Sequence, residues 1–592
     1  VVNADVAAMF NDVADLLELQ GASVFRIRAY RNAARMLGDL GQSVQALMEQ
    51  GKDLDALPGI GADLAQKITT IVHTGKCPLL EQLRAQVPPG VVELLRIPGI
   101  GPRRARALQQ ALGIRTLEDV QRAIADGRLR KVRGFGLKTQ QRISESITAR
   151  RQADQRFRLP MAMEVAATQL ASLSAEPGVL QVQAAGSLRR RRDTVGDIDL
   201  VAAVRPGSTV TRRFAAAPGV TTVLAKGPTR ASVVLANGMQ VDLRCVPAES
   251  FGAALLYFTG SKNHNIALRQ RALDAGLKLN EYGLYRGDRR IAGDTEASVY
   301  EALGLPLIEP ELRESRGEIE AALDHRLPDL ITLDALKGDL HTHTRDSDGG
   351  DTLATMAQAA RTRGWEYMAV TDHSSRLALA HGLDAGRLAQ QIDRIDALNE
   401  RLRGFVVLKG IEVDILPDGS LDLPDDILSR LDLVVGAVHS AFDLPRERQT
   451  DRLLRAMDHR SFSILAHPTA RLIGDRAPCE IDLQRVIRKA RERGCFLELN
   501  AQPTRLDLND VACRMAKDEG VLLSIASDAH NTLDFEHLRY GIGQARRGWL
   551  GPGDVLNTRS LEALRTLLAG TIEKLPSGSS CRAVTQVPLP MP

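Results

Sequence analysis

A chain of 592 residues is too long for one hydrophobic core, and 44% hydrophobic with 25% charged residues is the composition of a globular protein of several units. No apolar run approaches the roughly 18 residues of a membrane span, and Val1 to Phe10 lacks the basic and apolar stretches of a secretory signal, so the expectation is a cytoplasmic protein with no membrane partner. The six cysteines are scattered, which argues against a zinc finger or a disulfide framework, and the net charge of +4 hides an excess of roughly eight basic residues within 1–160.

That basic end is expected to meet nucleic acid. Val6, Met9, Phe10, Val13, Leu16 and Leu17 fall at helical spacing, and short amphipathic segments broken by glycine and proline follow, so the region reads as all-helical. The pattern apolar-Pro/Arg-Gly-apolar-Gly recurs three times: Leu57 to Gly61, Ile97 to Gly101 and Val132 to Gly136. It resembles the helix-hairpin-helix motif, in which glycines let a tight turn present backbone N–H groups at a helix N-terminus to a DNA phosphate. The resemblance implies DNA contacts at Gly59, Gly61, Gly99, Gly101, Gly134 and Gly136, with Arg103, Arg104 and Lys138 beside the bound backbone. A solvated basic face is the plainer reading of those three side chains.

Further along, Gly186-Ser187-Leu188-Arg189-Arg190 precedes Gly196-Asp197-Ile198-Asp199-Leu200. Residues two apart in a strand face one side, so Asp197 and Asp199 are expected to project together while Ile198 and Leu200 enter the core. A second apolar strand, Met239 to Val246, carries Asp242. Three carboxylates on adjacent strands can hold two hard divalent cations against triphosphate oxygens and an attacking 3′-hydroxyl.

Gly-Ser followed by Asp-x-Asp, with Tyr257-Phe258-Thr259-Gly260-Ser261 downstream, resembles the nucleotidyltransferase palm of family X DNA polymerases. The resemblance implies catalytic Asp197, Asp199 and Asp242 with Mg²⁺ or Mn²⁺, and dNTP substrates. It puts the incoming phosphates at Gly186, Ser187, Arg190 and Gly196, the sugar beside Tyr257, Phe258 and Gly260, and the nascent base pair at Asn265 and Arg269. Upstream, Phe25 to Ala34 resembles the start of the small domain that excises 5′-deoxyribose phosphate through a lysine Schiff base, with Lys67 at the position of that lysine. Asp63 stands where those members carry a phosphate-binding lysine, a departure from the pattern.

Nine of the twelve histidines lie beyond residue 340. Apolar runs ending in Asp339-Leu340-His341-Thr342-His343, Thr371-Asp372-His373, Glu412, His439, His467 and Asp528-Ala529-His530 alternate with helical segments such as 351–363 and 384–403, and Asp348 follows the first run. This is the layout of a (β/α) barrel with chemistry on its C-terminal rim. The motif order resembles the PHP (polymerase and histidinol phosphatase) domain, which implies that His341, His343, Asp348, His373, Glu412, His439, His467, Asp528 and His530 are metal ligands. Mixed imidazole and carboxylate donors suit two or three Mn²⁺, Zn²⁺ or Fe²⁺ ions and phosphoester hydrolysis. Arg376 and Arg505 are each either a substrate-phosphate contact or a surface arginine.

The expected architecture is multidomain α/β. A small helical lyase-like domain (1–80) and helix-hairpin-helix fingers (81–150) come first, followed by an α+β nucleotidyltransferase palm (151–250), a thumb (251–315) and a linker (316–337). A distorted (β/α) barrel PHP domain (338–575) and a disordered tail (576–592) complete it. The resemblance implies a template-directed, gap-filling polymerase of base excision repair, fused to a 3′–5′ exonuclease with room for abasic-site endonuclease or 3′-phosphatase activity. Gapped or nicked duplex DNA and a ligase are its expected partners, and a monomer associated with the nucleoid its expected state. The alternatives are a PHP nuclease with an inactive polymerase, a small-molecule phosphatase of the histidinol phosphate type, and a DNA-bound scaffold; intact Asp197, Asp199 and Asp242 speak against the first.

Overall fold

The computed structural model describes residues 3–39, 44–49, 51–57, 59–84, 86, 107–108, 111–114, 117–132, 135, 156–377 and 380–572. The expected DNA contacts Gly99, Gly101, Arg103, Arg104, Gly134, Gly136 and Lys138, and the tail from Pro576, lie outside these residues. The chain divides into two compact units. One comprises Val1–Leu330 with Asn509–Met515 and Gly543–Gly551; the other comprises Ile331–Leu508, Ala516–Ile542 and Pro552–Pro592.

The first unit begins with helices Asn3–Gln20, Val24–Asp39 and Ala62–Thr74, whose apolar stripes meet in a core that includes Phe10, Val13, Tyr30, Leu37, Ile68 and Ile71. Phe10 and Tyr30 pack edge to face with centroids 5.4 Å apart. Helix Leu159–Ser174, opened by proline in its first turn, leads into a five-stranded sheet in the order Val179–Ala184, Asp197–Val204, Gln240–Val246, Arg230–Leu235 and Val220–Lys226. The two central strands are parallel, and the outer pairings are antiparallel. Helix Phe251–Thr259 covers one face through Phe251, Ala254 and Leu255, which pack on Val201, Ala203 and Val246.

Helices Lys262–Asp274 and Glu296–Ala302 follow, flanking a small antiparallel sheet of Lys278–Asn280, Gly283–Arg286 and Arg289–Ala292. Their shared core takes in Trp549 from the far end of the sequence. The stretch expected to act as a linker is packed: Glu318–Leu323 is a helix with Glu318, Ala321 and Ala322 buried. Glu318 accepts the backbone N–H groups of Ser315 and Arg316 and lies 2.6 Å from His264 Nδ1, which holds this stretch down.

The second unit is a ring of short parallel strands. Gly338–Asp339, Tyr367–Val370 and Val406–Lys409 form one sheet; Glu412–Asp414, Val435–Ala437, Ile464–Leu465, Phe496–Asn500 and Leu523–Ala526 form another. Parallel bridges His373 to Glu412 and Thr342 to Ala529 join the two sheets at both ends, which closes the barrel. Strands buried on both faces read as apolar runs, here interrupted by Gly436, where a Cβ would strike the Phe462 ring. Helices Leu353–Thr362, Ala385–Asn399, Arg446–Met457 and Leu483–Arg493 are the crossovers; Thr352, Asp384 and Asp482 cap three of them by accepting a first-turn backbone N–H.

Candidate active sites

In the first unit, Asp199 and Asp242 are cross-strand partners of one parallel pair, so both carboxylates leave the same sheet face at the same height. Asp197 lies two residues earlier on its strand, while the alternate residues Ile198 and Leu200 are fully buried, as period two requires. One oxygen from each of the three carboxylates lies within 4.8 Å of the others. Burial, then Asp197 and Asp242, push the Asp199 carboxyl up to about 7, and burial and Asp242 raise Asp197 too. Three acids that strain against each other's charge in this way fit a divalent cation. Ser232 donates to Asp242 Oδ1 and Gln240 Nε2 to Oδ2 at 2.7 Å, which fixes the carboxylate plane; the sequence reading did not single out either residue.

The Gly186–Arg189 turn is tied to this strand by the Ala185 N–H donating to the Asp199 carbonyl at 2.8 Å. Gly186 has φ +61°, and a Cβ there would collide with the Asp199 carboxylate, so only glycine lets the turn approach the acids. Ser187 is the second residue of that turn, and Gly196 immediately precedes Asp197. Arg190 Nε donates to Glu314 at 3.0 Å and Nη1 to the Thr259 carbonyl. Glu314 also takes Arg547 Nη1 at 2.7 Å, and against the cost of burial these cations hold it down to about 2. Arg189 pairs with the buried Glu296, which Arg313 also contacts at 2.6 Å. Tyr257 and Phe258 lie edge to face at 5.1 Å, each with a guanidinium nearby: Arg269 over Tyr257 at 4.9 Å and Arg244 over Phe258 at 5.0 Å. Asn265 donates to the Tyr257 carbonyl at 2.7 Å, and its buried Oδ1 has no hydrogen-bond partner.

At the N-terminal end of the unit, Gly59 has φ +79° and Gly61 caps helix Ala62–Thr74; both are exposed, leaving the helix N-terminus open to solvent. Lys67 Nζ is in contact with the Asp63 carboxylate one turn earlier.

In the second unit the structure gathers all nine of the singled-out residues at the C-terminal ends of the strands. Glu412 stands at the centre: His341, His343, His373, His439 and His467 each bring a ring nitrogen to within 2.7–3.7 Å of its oxygens. Asp528 lies 3.2 Å from His343 Nε2, and Asp348 lies 3.5 Å from His373 and 3.4 Å from His530. Three overlapping donor groups result: His343, Asp348, His373 and His530; His341, His343 and Asp528; and His373, Glu412 and His439. His341 Nε2, both ring nitrogens of His343, His373 Nδ1 and Glu412 Oε2 are buried without a hydrogen bond. Orphaned buried donors that converge on one point are costly unless a cation accepts their lone pairs, so this set fits clustered metal ions. Against the cost of burial, Glu412 and Asp348 hold the His373 imidazolium up to about 10, whereas burial and the neighbouring His530 and His373 push His343 down to about 3.

A layer of carboxylates that the sequence reading missed holds these donors in place. Glu498 Oε1 lies 2.6 Å from His341 Nδ1, its Oε2 accepts the His467 N–H at 2.7 Å, and Asn500 bridges Glu498 and Asp528 at 3.2 and 3.0 Å. Asp372 accepts from Thr344 N–H and Oγ1, Ser347 Oγ and Gln391 Nε2 at 2.5–2.7 Å, pinning the loop that carries Asp348. Asp339 accepts from the His341 and Ser527 N–H groups, tying the first strand to the last. Such partners set imidazole orientation and tautomer.

Known families match in the same order along the chain. Residues 2–77 match a helix-hairpin-helix domain, 91–148 a SAM-like helix-hairpin-helix tandem, 254–314 the DNA polymerase beta thumb and 339–502 the PHP domain. The chain is 38% identical over 571 residues to the DNA polymerase/3′-5′ exonuclease PolX of Bacillus subtilis (strain 168), covering 95% of this chain and 99% of that one. It belongs to the PolX family. It is thus a family X DNA polymerase joined to a PHP 3′–5′ exonuclease domain, a DNA-binding enzyme that uses dNTPs and depends on divalent metal. Similarity to the DNA polymerase lambda of Rattus norvegicus (28% over 348 residues, 53% of this chain and 56% of that one) reflects the polymerase part of this architecture. A probable phosphatase of Thermoanaerobacter sp. (strain X514) is 29% identical over 232 residues, 37% of this chain and 89% of that one. Among the described residues, no helix is long and apolar enough to cross a membrane.

Proposed function

We propose that this PolX enzyme fills short gaps in duplex DNA during base excision repair and trims 3′ ends at a second, chemically different centre. The observation that carries the reading is the pair of donor sets: three carboxylates on a sheet face, and nine imidazole and carboxylate groups on a barrel rim. Asp197, Asp199 and Asp242 would hold Mg²⁺ or Mn²⁺, which would supply Lewis acidity to the primer 3′-hydroxyl and charge screening to the triphosphate. Gly186 and Ser187 offer the turn's backbone and hydroxyl to the phosphates. Arg190, with two of its N–H groups committed to Glu314 and Thr259, braces that turn and keeps its remaining donors for phosphate. Gly196 leaves room beside the phosphates, Tyr257, Phe258 and Gly260 flank the sugar, and Asn265 and Arg269 meet the nascent base pair.

His341, His343, Asp348, His373, Glu412, His439, His467, Asp528 and His530 would hold two or three Mn²⁺, Zn²⁺ or Fe²⁺ ions, which would supply Lewis acidity for phosphoester hydrolysis. The open helix N-terminus at Gly61, together with the two later sequence repeats of its motif, grips DNA backbone without reading sequence. The enzyme acts as a cytoplasmic, nucleoid-associated monomer and leaves a nick for a ligase. The similarity to a probable phosphatase supports 3′-phosphate removal as a further activity of the barrel. A time course on a one-nucleotide gapped duplex with a 5′-phosphate and Mn²⁺ tests both centres: extension with dNTPs and 3′ shortening without them are expected. Shortening alone would leave a nuclease whose palm only binds.

A further inference from the structure

Arg189 to Arg192 are four arginines in a row, and they end the short Gly186–Arg189 helix beside the sheet carboxylates. The chain leaves that helix by a common route: the Arg192 N–H donates to the Ser187 carbonyl at 3.1 Å and the Arg191 N–H to the Leu188 carbonyl at 3.0 Å. This closure puts the residue after the cap in the left-handed region, which glycine enters freely, yet Arg191 stands there with φ +57°. The turn is therefore disfavoured locally and persists because its surroundings hold it.

The hold comes from far later in the sequence. Gln544 and Arg547 lie on the part of helix Leu538–Arg547 that folds with the first unit, and both are buried. Gln544 Nε2 donates to the Arg191 carbonyl at 2.8 Å, and Arg547 Nη1 donates to the Arg190 carbonyl at 2.7 Å. The peptide planes on either side of the Arg191 Cα are thus each pinned, which fixes its φ and ψ. The approach is close: a Cβ on Gly543 would lie 3.2 Å from the Arg191 Cβ. Arg547 is itself held on two sides, by Glu314 at 2.7 Å and Asp510 at 2.6 Å, and Arg316 also reaches Asp510 at 3.0 Å. Glu314 is the carboxylate that receives Arg190 Nε, so one acid sets the spacing of the two guanidiniums.

We propose that Gln544 and Arg547 are positioning residues for nucleotide addition: they keep Arg191 in its left-handed conformation and so aim Ser187 and Arg190 at the incoming triphosphate. This rests on the reading of the Gly186–Arg190 turn as the phosphate site. Both residues act through the turn, and a small displacement there is costly because the triphosphate must meet the primer 3′-hydroxyl in line.

The test is dNTP addition by the full-length enzyme on a one-nucleotide gapped duplex with Mg²⁺, with KM and kcat read separately. Gln544→Ala removes one neutral hydrogen bond and is expected to raise KM for dNTP about 2- to 10-fold; Arg547→Ala, which removes charged ones, about 10- to 100-fold. The change in kcat should be the smaller one, and 3′ shortening and gapped-duplex affinity should stay unchanged. Arg191→Gly added to Gln544→Ala should return KM to within about twofold of the unaltered enzyme, because glycine holds the left-handed conformation without help. Unchanged KM in Gln544→Ala and Arg547→Ala would overturn the proposal. So would a failure of glycine to rescue, or a loss of 3′ shortening in step with dNTP addition, since either would make the two residues general supports of the fold. If Arg547→Ala does not fold, with Glu314 and Asp510 left buried without it, Gln544→Ala and its glycine rescue decide alone. Ser187→Ala checks the phosphate reading separately. If it leaves KM for dNTP unchanged, the turn is not the phosphate site and both readings fall; if it raises KM while the helix variants do not, only the positioning role falls.

Discussion

On the reading proposed above, the two centres of this PolX chain would hold divalent metal with opposite kinds of residue. The sheet site uses three carboxylates that repel one another, which fits hard cations shared with a triphosphate that arrives and departs with each cycle. The barrel site surrounds one central carboxylate, Glu412, with five imidazoles and rims it with Asp348, Asp528 and His530, a denser and softer set suited to resident ions. The first keeps few supports, Ser232 and Gln240 on Asp242; the second is braced by Glu498, Asn500, Asp372 and Asp339. A metal that comes and goes with substrate would tolerate the leaner scaffold, and a resident one would need the built one.

The sharpest way to break this comparison is to empty one centre at a time. Asp197→Ala/Asp199→Ala should lower dNTP addition by at least about 10³-fold while leaving Mn²⁺-dependent 3′ shortening intact, since the metal carries most of the transition-state charge. His341→Ala/His343→Ala should do the reverse. Loss of both activities in either variant, measured on the same gapped duplex, would refute two independent centres.

A second test weighs the scaffold. Glu498 orients His341 through Nδ1 and holds the His467 backbone, so Glu498→Ala should loosen the rim without touching a donor directly. Mn²⁺ affinity, read by equilibrium dialysis, should fall about 10- to 100-fold, the usual effect of losing a carboxylate behind a histidine ligand. Glu498→Gln, which keeps an acceptor oxygen, should fall less. Equal Mn²⁺ retention in all three proteins would show that the barrel needs no such brace.

Much of both centres was legible in the sequence because their donors sit where a pattern is forced. Asp197 and Asp199 share a face by strand period, and the rim histidines and acids each end an apolar run, as catalytic groups on a barrel must. Glu498 and Asn500 were legible by the same rule that paired Asp197 with Asp199, since Phe496, Leu497 and Leu499 fill the other positions of their strand; one acid within an apolar run simply carries no motif. Other features depended on distant partners. The packing of Asn509–Met515 and Gly543–Gly551 with the first unit, and the ion-pair cluster of Glu314, Arg547 and Asp510 there, involve charged residues that in sequence look like any solvated helix face.

A third test sharpens the electrostatic side of the comparison. With its carboxyl raised to about 7, Asp199 in metal-free protein is protonated below that pH, and metal must displace the proton to bind. The affinity of the sheet site for Mg²⁺ should therefore rise by up to about tenfold per pH unit from pH 5 to 7 and level off above, because one proton is released per ion bound. For stability the sign is opposite: a carboxyl raised from 3.8 to about 7 makes the folded state bind the extra proton between those values, so this group's contribution falls as pH rises through that window. Mg²⁺ titrations of His341→Ala/His343→Ala protein, in which the barrel does not compete, would show the slope. An affinity flat from pH 5 to 8 would mean that the three acids do not share a proton.

The smallest expected effect concerns Lys67. Its contact with Asp63 is an exposed pair one helical turn apart, worth about 0.3–0.5 kcal/mol, so the ion pair alone does not silence a nucleophilic amine. The sign of the charge matters more. A 5′-deoxyribose phosphate brought to Lys67 would have to place its phosphate near Asp63, and that carboxylate repels it where a cation would attract it. Lys67→Ala should accordingly change release of 5′-deoxyribose phosphate from an incised abasic site by less than about twofold, and borohydride should trap no protein–DNA adduct, since an unassisted Schiff-base lysine has little advantage over solution amines. Asp63→Lys should tighten binding of a gapped duplex with a 5′-phosphate, because it converts repulsion into attraction at the same turn. Trapping of the unaltered enzyme, lost in Lys67→Ala, would show instead that this chain anchors the phosphate elsewhere and keeps a third centre beside the two compared above.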